Sequence, residues 1–589
     1  MIAIFIAAII GGGLYAYSFR TPKPPEPKPR DLANVKNRTE TEIEIPTVLF
    51  TDITQDAGIQ FVHQNGFSKE KLLPETMGGG CAFLDYDNDG DQDILLTNST
   101  YWSWDEENKN KPKPTMSLYQ NDGTGKFVDV TKDSGLEIEC YGMGVAVGDY
   151  DNDGLVDIYI TTVGENLLFH NQGNGKFVEQ AKQAGVAGDI KAWGTSCGWF
   201  DYDNDGDLDL YVGNYLDWTR EYDTSQNFQL TGGERAYGRP MNFAGTLPYL
   251  FQNDGKGNFT EVAEAAGLQI KDPQTDAPMS KALGVAFADI DNDGWIDIIM
   301  ANDTVQNFLF HNQQDGTFIE KGNLAGLAFD ESGKARGAMG IDVAAFRNEN
   351  TLGVAIGNFA NEMTALYVAN DNDLLFVDEA MSTGLGPVSR LKLTFGVFYF
   401  DYDFDGQLDL FTANGHLEKE INRVQESQRY HQSPQLFRNC GAKSETEFLL
   451  LNEQQCGTDL IKPMVARGAC FADIDGDADL DILIASVGEP PRLLRNDLNS
   501  NSHWIKFKLN GTTSNRDAIG AVIEVQTATR TLRRQVMPTR SYLSQVELPV
   551  TFGLGEEEAI TSVKIHWPGG ETQELESLPI DQLHNIKQP

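Results

Sequence analysis

A nine-residue acidic pattern returns six times along the 589-residue chain. It reads DYDNDGDQD from Asp85, DYDNDGLVD from Asp149, DYDNDGDLD from Asp201, DIDNDGWID from Asp289, DYDFDGQLD from Asp401 and DIDGDADLD from Asp473. Like charges this close repel unless something offsets them. The form D-x-D-x-D-G-x-x-D is an oxygen cage. Side chains at positions 1, 3, 5 and 9 and the backbone carbonyl at position 7 converge on one hard cation, and Gly at position 6 permits the sharp turn.

The expected metal residues are Asp85, Asp87, Asp89, Asp91 and Asp93 in the first loop and Asp149, Asp151, Asp153, Leu155 and Asp157 in the second. The third loop offers Asp201, Asp203, Asp205, Asp207 and Asp209, and the fourth Asp289, Asp291, Asp293, Trp295 and Asp297. The last two offer Asp401, Asp403, Asp405, Gln407 and Asp409, then Asp473, Asp475, Asp477, Asp479 and Asp481. An all-carboxylate set of this size favours Ca2+. Mg2+ prefers a smaller octahedron with retained water, and Zn2+ would call for His or Cys. Up to six calcium ions are expected. The Asp473 loop is the likeliest to lack one, because Ala478 replaces its glycine.

Each loop lies in a longer unit. GMGVAVG and IYITT flank the second loop as two short strands, and NLLFHNQGNGKFVEQAKQAGV follows as a hairpin ending in a turn. That makes four strands per unit. The step from Asp289 to Asp401 is double the usual one, and a degraded copy lies between, at 338–359. There Ala345, Arg347, Glu349 and Gly353 stand where Asp149, Asp151, Asp153 and Asp157 stand in the second unit. This loop is expected to hold no metal, with Arg347 bonding loop carbonyls or Glu349 in the ion's place. Seven four-stranded units at this period predict an all-β, seven-bladed propeller. An orphan second half at 49–59 and an orphan first half at 492–497 predict that the chain ends share one blade and close the ring.

The domain reading is a hydrophobic segment at 1–19, a Pro/Lys-rich linker at 20–47, the propeller at 48–500, and a small, separate, antiparallel sandwich-like β domain at 501–589 with a basic run, RTLRR. Residues 1–19 carry no charged side chain and as a helix would span about 28 Å. They are either a cleaved signal or a membrane anchor. Export is expected in both cases, because extracellular calcium modules bind at about 10⁻⁴ to 10⁻³ M and would stay empty in cytosol. In an exported chain Cys440 and Cys456 are the best disulfide candidates, whereas Cys81, Cys197 and Cys470 read as small buried strand residues. With 46 Lys+Arg against 87 Asp+Glu the net charge is −41, which argues against nucleic acid.

The repeats are similar to FG-GAP/VCBS calcium-loop repeats. FTDITQDAGIQFVHQNG, LPETMGGGCAFLDYDNDGD and ARGACFADIDGDADLDILI, with the tail NRDAIGAVIEV…SYLSQ…TFGLG…WPGG, resemble the cartilage acidic protein/UnbV family. The resemblance runs over roughly 48–589. It implies a secreted or surface calcium-binding propeller with an interaction or adhesion role.

The longest inserts fall at one repeat position, between second and third strands, at 98–116, 214–249 and 414–434. Insertions at one repeat position project from one face of a ring. They carry Tyr101, Trp102, Trp104, Trp218, Tyr222, Tyr237 and Phe243, residue types that anchor protein or glycan ligands. Substituting Trp104, Trp218 and Tyr237 is expected to spare stability and abolish binding. The enzyme reading is weaker. GTSCG at 194–198 fits G-x-S-x-G around Ser196, but on a strand rather than at a strand–turn–helix elbow. His170 and His311 share a repeat position with Gln120 and Arg438 and read as scaffold, and His63 and His416 sit in turns. The expected function is an extracellular binding or adhesion module for a protein or glycan ligand. The alternative is a propeller enzyme or lectin acting on a polysaccharide or other extracellular substrate.

Overall fold

The computed structural model describes residues 45–348, 351–369 and 374–589. The apolar segment 1–19 and Glu349 lie outside the described residues. Among the described residues no helix is long and apolar enough to cross a membrane.

Seven antiparallel four-stranded blades follow one another, and blade 1 is extended to a six-stranded sheet by a later hairpin whose Gln545 runs parallel to Ala82. In blade 2 they are Gly142–Gly148, Asp157–Thr162, Leu167–Asn171 and Phe177–Glu179. Burial explains the sequence gradient within each blade. The inner strand GMGVAVG is buried on both faces, so only small and apolar residues fit. The outer strand FVE buries only its phenylalanine. The closing turn ends on Gly185 at φ 87°, a left-handed cap that favours glycine. Blade 7 is completed by the chain's beginning: Leu49–Asp52 pairs antiparallel with Arg492–Asp497. Blade 5 forms without an acidic loop, from Ala338–Ala344, Gly353–Asn358, Ala365–Ala369 and Phe376–Asp378.

A repeated asparagine fastens neighbouring blades. The Asn253 amide donates to the Leu208 carbonyl of its own loop at 3.0 Å and to the Tyr150 carbonyl of the preceding blade's loop at 2.8 Å. Asn121, Asn171, Asn312 and Asn439 make the same pair of bonds, and Asn496 makes the inter-blade one. Blade 5 has Ala369 at this position. Asn253→Ala would orphan two buried carbonyls at about 1–3 kcal/mol each. It should lower the unfolding midpoint in urea, whereas Asn258→Ala, on the exposed turn, should not.

The C-terminal residues form a three-stranded sheet (Val550–Gly555, His503–Asn510, Leu583–Lys587) facing a four-stranded one (Thr531–Gln535, Val522–Gln526, Ser562–His566, Thr572–Glu576). They share a core of Ile505, Phe507, Ile523, Leu532, Phe552 and Trp567. The expectation of a purely antiparallel domain is corrected at one seam, since His503–Asn510 runs parallel to Leu583–Lys587.

Nor is this domain separate. A hairpin finger, Thr539–Arg540 paired with Ser544–Gln545, leaves it and enters the propeller axis. Ser541 and Ile341 exchange backbone hydrogen bonds at 3.0 Å. Val145 N–H donates to the Leu543 carbonyl, the Gln545 amide to the Val145 carbonyl, and the Tyr542 hydroxyl to the Met77 carbonyl. The inner strands leave room because they carry glycine where the finger passes. A Cβ on Gly80 would stand 2.5 Å from the Leu543 oxygen, and one on Gly468 2.4 Å from Ser544 Oγ. In blade 3 the corresponding residue is Ser196, buried, donating to the Leu283 carbonyl and accepting from Leu543 N–H. The G-x-S-x-G match is therefore a channel-wall serine.

All six cysteines are free thiols. The expected Cys440–Cys456 bridge is not formed. Cys440 lies in the turn after blade 6's third strand, while Cys456 ends a helical turn held to the first strand's entry by a Val48–Gln455 hydrogen bond. Cys81, Cys197 and Cys470 are buried strand residues.

Candidate metal loops and the insert face

The acidic loops and the inserts lie at opposite ends of the inner strands, because one follows the first strand of each blade and the other the second. In blades 2, 3 and 4 the position-1 aspartate folds its loop by accepting the N–H groups of positions 5 and 6. Asp201 takes those of Asp205 and Gly206 at 3.1 and 3.0 Å, and Asp149 and Asp289 do the same. Position 4 is left-handed throughout, at Asn88, Asn152, Asn204, Asn292 and even Phe404 (φ 56–60°). Asparagine tolerates that conformation, which explains its recurrence. Ala478, in place of the usual glycine, is held at φ 76°.

Position 9 is buried in all six loops. One Asp209 oxygen accepts Asn253 N–H at 2.8 Å and the other Tyr202 N–H. Asp93, Asp297, Asp409 and Asp481 are held in the same way. The residue before the repeated asparagine reaches back into its own loop. Gln120 and Gln252 donate to Asp87 and Asp203 at 2.7 and 2.8 Å. His311 bonds Asp291 at 2.8 Å, and His170 contacts Asp157 at 3.2 Å and Asp151 at 3.5 Å. Sequence reasoning treated this position as scaffold. Its side chains, all able to donate a hydrogen bond, were the available signal.

Ligand atoms of Asp85, Asp87 and Asp93 lie within 4.8 Å of one another, as do those of Asp149, Asp151 and Asp153, and of Asp201, Asp203 and Asp209. That span is about twice a calcium–oxygen distance. Asp85 Oδ1, Asp87 Oδ1, Asp157 Oδ2, Asp203 Oδ1 and Asp291 Oδ1 are buried without a hydrogen-bond partner. Orphaned anionic oxygens are costly unless a cation meets them. Burial, with neighbouring carboxylates adding, pushes Asp93 and Asp149 up to about 8, Asp157 and Asp201 to about 7, and Asp289 to about 6. The donor set fits a hard divalent ion.

The C-terminal domain covers this face with its basic side chains. Lys508 reaches Asp85 at 3.3 Å, Lys506 Asp473 at 3.1 Å, and Arg516 Asp149 at 3.9 Å. Arg530 donates to the Asp405 carbonyl and Arg534 to the Gly406 carbonyl. Gly553 N–H donates to Asp401, and a Cβ there would lie 2.4 Å from Phe404 Cα. Gly553→Ala should therefore lift the domain edge off blade 6, seen as faster amide exchange over 550–555 while 142–148 stays protected.

On the opposite face the inserts pack together. Trp102 is buried and stacks on Trp104 at 4.9 Å, Tyr141 at 4.4 Å and Trp218 at 5.5 Å, and Phe243 is buried with them. Trp104 and Trp218 are therefore partly buried packing residues, which corrects the expectation that their loss would spare stability. Trp218→Ala should cost about 2 kcal/mol or more, read by thermal melting. Tyr101 and Tyr237 are half-buried, and Tyr222 is exposed.

These loops frame a cavity of about 270 Å³ over the axis, lined among others by Lys71, Glu75, Tyr237, Glu418, Tyr430 and Arg467. Arg467 is fully buried, stacked 4.0 Å over Phe395, and donates only to the carbonyls of Thr76, Gly415 and Ala466. Burial pushes Glu75 up to about 7 and, aided by Arg467, lowers His63 to about 3 and His416 to about 4.

Residues 85–160, 149–212 and 244–300 match the family model of an FG-GAP-like repeat, and 511–589 that of ASPIC and UnbV. The chain carries FG-GAP repeats and an ASPIC/UnbV domain. The human protein named cartilage acidic protein 1 is 27% identical over 339 residues, 55% of this chain and 47% of that one. Its Xenopus tropicalis counterpart is 24% identical over 315 residues, 52% of this chain and 45% of that one. The chain thus spans about half the length of the curated relatives it matches. Among solved structures, an Agrocybe aegerita lectin shares 16% identity over 63% of this chain and 81% of that one at a TM-score of 0.35, too distant to argue from. The FG-GAP match takes in the acidic nonapeptides from Asp85, Asp149, Asp201 and Asp289, and the ASPIC/UnbV match falls within the domain that covers the loop face.

Proposed function

We propose that this chain is an exported, calcium-binding FG-GAP propeller acting as an extracellular or cell-surface binding or adhesion module. The set of buried, unpartnered carboxylate oxygens in the FG-GAP loops carries the calcium reading. Export follows from it, since extracellular calcium modules bind at about 10⁻⁴ to 10⁻³ M. The ASPIC/UnbV domain occupies the loop face, which leaves the insert face for a protein or glycan ligand. Its rim exposes Phe67, Tyr222 and Met241. Screening glycan and matrix-protein arrays in millimolar calcium and in chelator tests the reading. The expected result is a calcium-dependent ligand lost on Phe67→Ala with Tyr222→Ala at an unchanged melting temperature. A ligand indifferent to both would overturn it.

The second reading, a lectin or enzyme acting on a polysaccharide or other extracellular substrate, is favoured by the axial cavity, where Glu75, Tyr237, Tyr430 and Arg467 converge. It predicts that Glu75→Gln abolishes turnover or sugar binding while the rim variant does not.

A further inference from the structure

We infer that the ring is divided: blades 1–4 each hold one divalent ion, while blades 5, 6 and 7 are neutralised by cations built into the chain, Arg347, Arg438 and Lys506. The inference rests on the calcium reading and goes beyond it by assigning which loops are metal sites. The carrying observation is the residue that reaches into each loop from the third strand. In blades 1–4 it is neutral or titratable: Gln120, His170, Gln252 and His311. Each bonds the outer edge of a carboxylate and brings no fixed positive charge into the loop. Buried unpartnered oxygens occur in these loops and also at Asp401, Asp475 and Asp479, so the cation reaching in, and not the orphaned oxygen, separates the two groups.

Blade 6 differs. Its third strand supplies Arg438, whose Nε and a terminal nitrogen lie 3.0 Å from Asp403 and 3.0 Å from Asp405. A single guanidinium thus bridges positions 3 and 5, two of the four carboxylates an ion would need. Arg530 holds the Asp405 carbonyl at 2.6 Å and Arg534 the Gly406 carbonyl at 3.1 Å. A divalent ion would have to displace Arg438 while two further guanidiniums remain alongside, and like charge at that range repels it.

Blade 7 reaches the same end by another route. The Lys506 ammonium is buried between Asp473 at 3.1 Å and Glu547 at 3.0 Å, the second of them fully buried. A charge so enclosed cannot turn out to solvent to make way for an ion. The Lys508 contact in blade 1 is different, being longer, at 3.3 Å, and made by a lysine that is itself one-third exposed. In blade 5 the cation stands in the loop itself. Arg347 makes a bidentate pair with Glu447 of the next blade at 2.7 and 2.6 Å and bonds Glu379 at 2.7 Å. The expected Glu349 partner lies outside the described residues; Nε and one terminal nitrogen of Arg347 are taken by Glu447 and Glu379.

The test is a metal count on the full chain, by native mass spectrometry in calcium after exchange from chelator. Four calcium ions per chain are expected. Arg438→Gln installs the residue blades 1 and 3 carry and should raise the count to five. Asp203→Asn should lower it to three, and Asp403→Asn should leave it at four. A wild-type count of six, or an Arg438→Gln protein that folds and still counts four, would overturn the division. Should that variant not fold, a wild-type structure with calcium decides: an ion within 401–409 or 473–481 overturns the inference, and ions confined to the loops of blades 1–4 uphold it. A count of zero in millimolar calcium would fail the calcium reading itself, which separates the two.

Discussion

Replacing the finger, residues 538–546, by a flexible glycine–serine linker should remove the largest share of the propeller's stability that any nine residues contribute. Tyr542, Leu543, Ser541, Ser544, Gln545 and Val546 are each at most 4% exposed, although they belong to a hairpin of the C-terminal part of the chain that only edges the sheet of blade 1, Gln545 pairing with Ala82. Without them the axis is lined by glycines and by the backbone groups that Ser541, Leu543 and Gln545 now satisfy. Deleting a buried aromatic of this size alone costs about 3–5 kcal/mol, so Tyr542→Ala should already shift the melt by several degrees. The finger also keeps Ser541 at φ 69° and Leu543 at φ 57°, unfavourable for residues with a Cβ, so its conformation depends on the channel around it. Propeller and ASPIC/UnbV domain should therefore melt in one transition in the intact chain, and in two in the linker variant, the first at least about 10 °C lower. An unchanged single transition would show that the finger is a passenger.

Calcium removal should have an effect of similar size, and one that depends on pH in a defined direction. An ion that binds only the folded state at a hundred times its dissociation constant stabilises by about 2.7 kcal/mol. Four such ions correspond to a shift on the order of 10 °C. The pH dependence follows from the loop carboxyls. In the metal-free fold Asp93, Asp149, Asp157 and Asp201 are raised to about 7–8 by burial, above the ordinary range near 4. A group raised on folding contributes stability below its unfolded value and loses it as pH climbs through its folded value. The metal-free protein should therefore weaken from pH 5 to pH 8.5. The loaded protein should not, because the ion needs the carboxylates ionised and competes with protons. Scanning calorimetry at several pH values, with calcium and with chelator, should show the gap between the two midpoints widening as pH rises. A gap constant across that range would mean that these carboxyls are not the ligands.

What the sequence disclosed, and what it withheld, follows the range of the interactions. The acidic loop, its turn glycine and the four-strand period are local, so Asp149 to Asp157 could be read directly. Ring closure was legible because each orphan half, 49–59 and 492–497, repeats a pattern seen intact elsewhere. The repeated asparagine was equally periodic but less conspicuous, since its partner carbonyls lie in another blade. The finger left no such mark, because Thr539 to Gln545 look like an ordinary strand and what they pass are the glycines of six distant units and, in blade 3, Ser196. The docking of Lys508 on Asp85, 423 residues earlier, and of Lys506 on Asp473, 33 residues earlier and across the domain boundary, was beyond any local pattern, and only the clustered RTLRR stood out. The insert aromatics show the opposite limit. Composition marks Trp104 and Trp218 as anchors, yet an indole stacked on a ligand and one stacked on Trp102 look identical in a sequence.

The pairing of Leu49–Asp52 with Arg492–Asp497 also sets a timetable for biosynthesis. Asp497 emerges 446 residues after Thr51, a delay on the order of 20–90 s at ordinary elongation rates. Throughout that interval the growing arc presents two raw strand edges, one at each end, and unpaired edges invite association with other chains. The asparagine fasteners can already secure the interior joints other than that between blades 4 and 5, but the join between blades 7 and 1 must wait for the last of the propeller sequence, and the finger for the residues after it. That join should be the last part of the ring to acquire protection from exchange during refolding. It should also be the first to yield to a protease when the folded protein is stressed, with cleavage mapping beside Leu49 and Arg492 before it reaches blades 2 to 4.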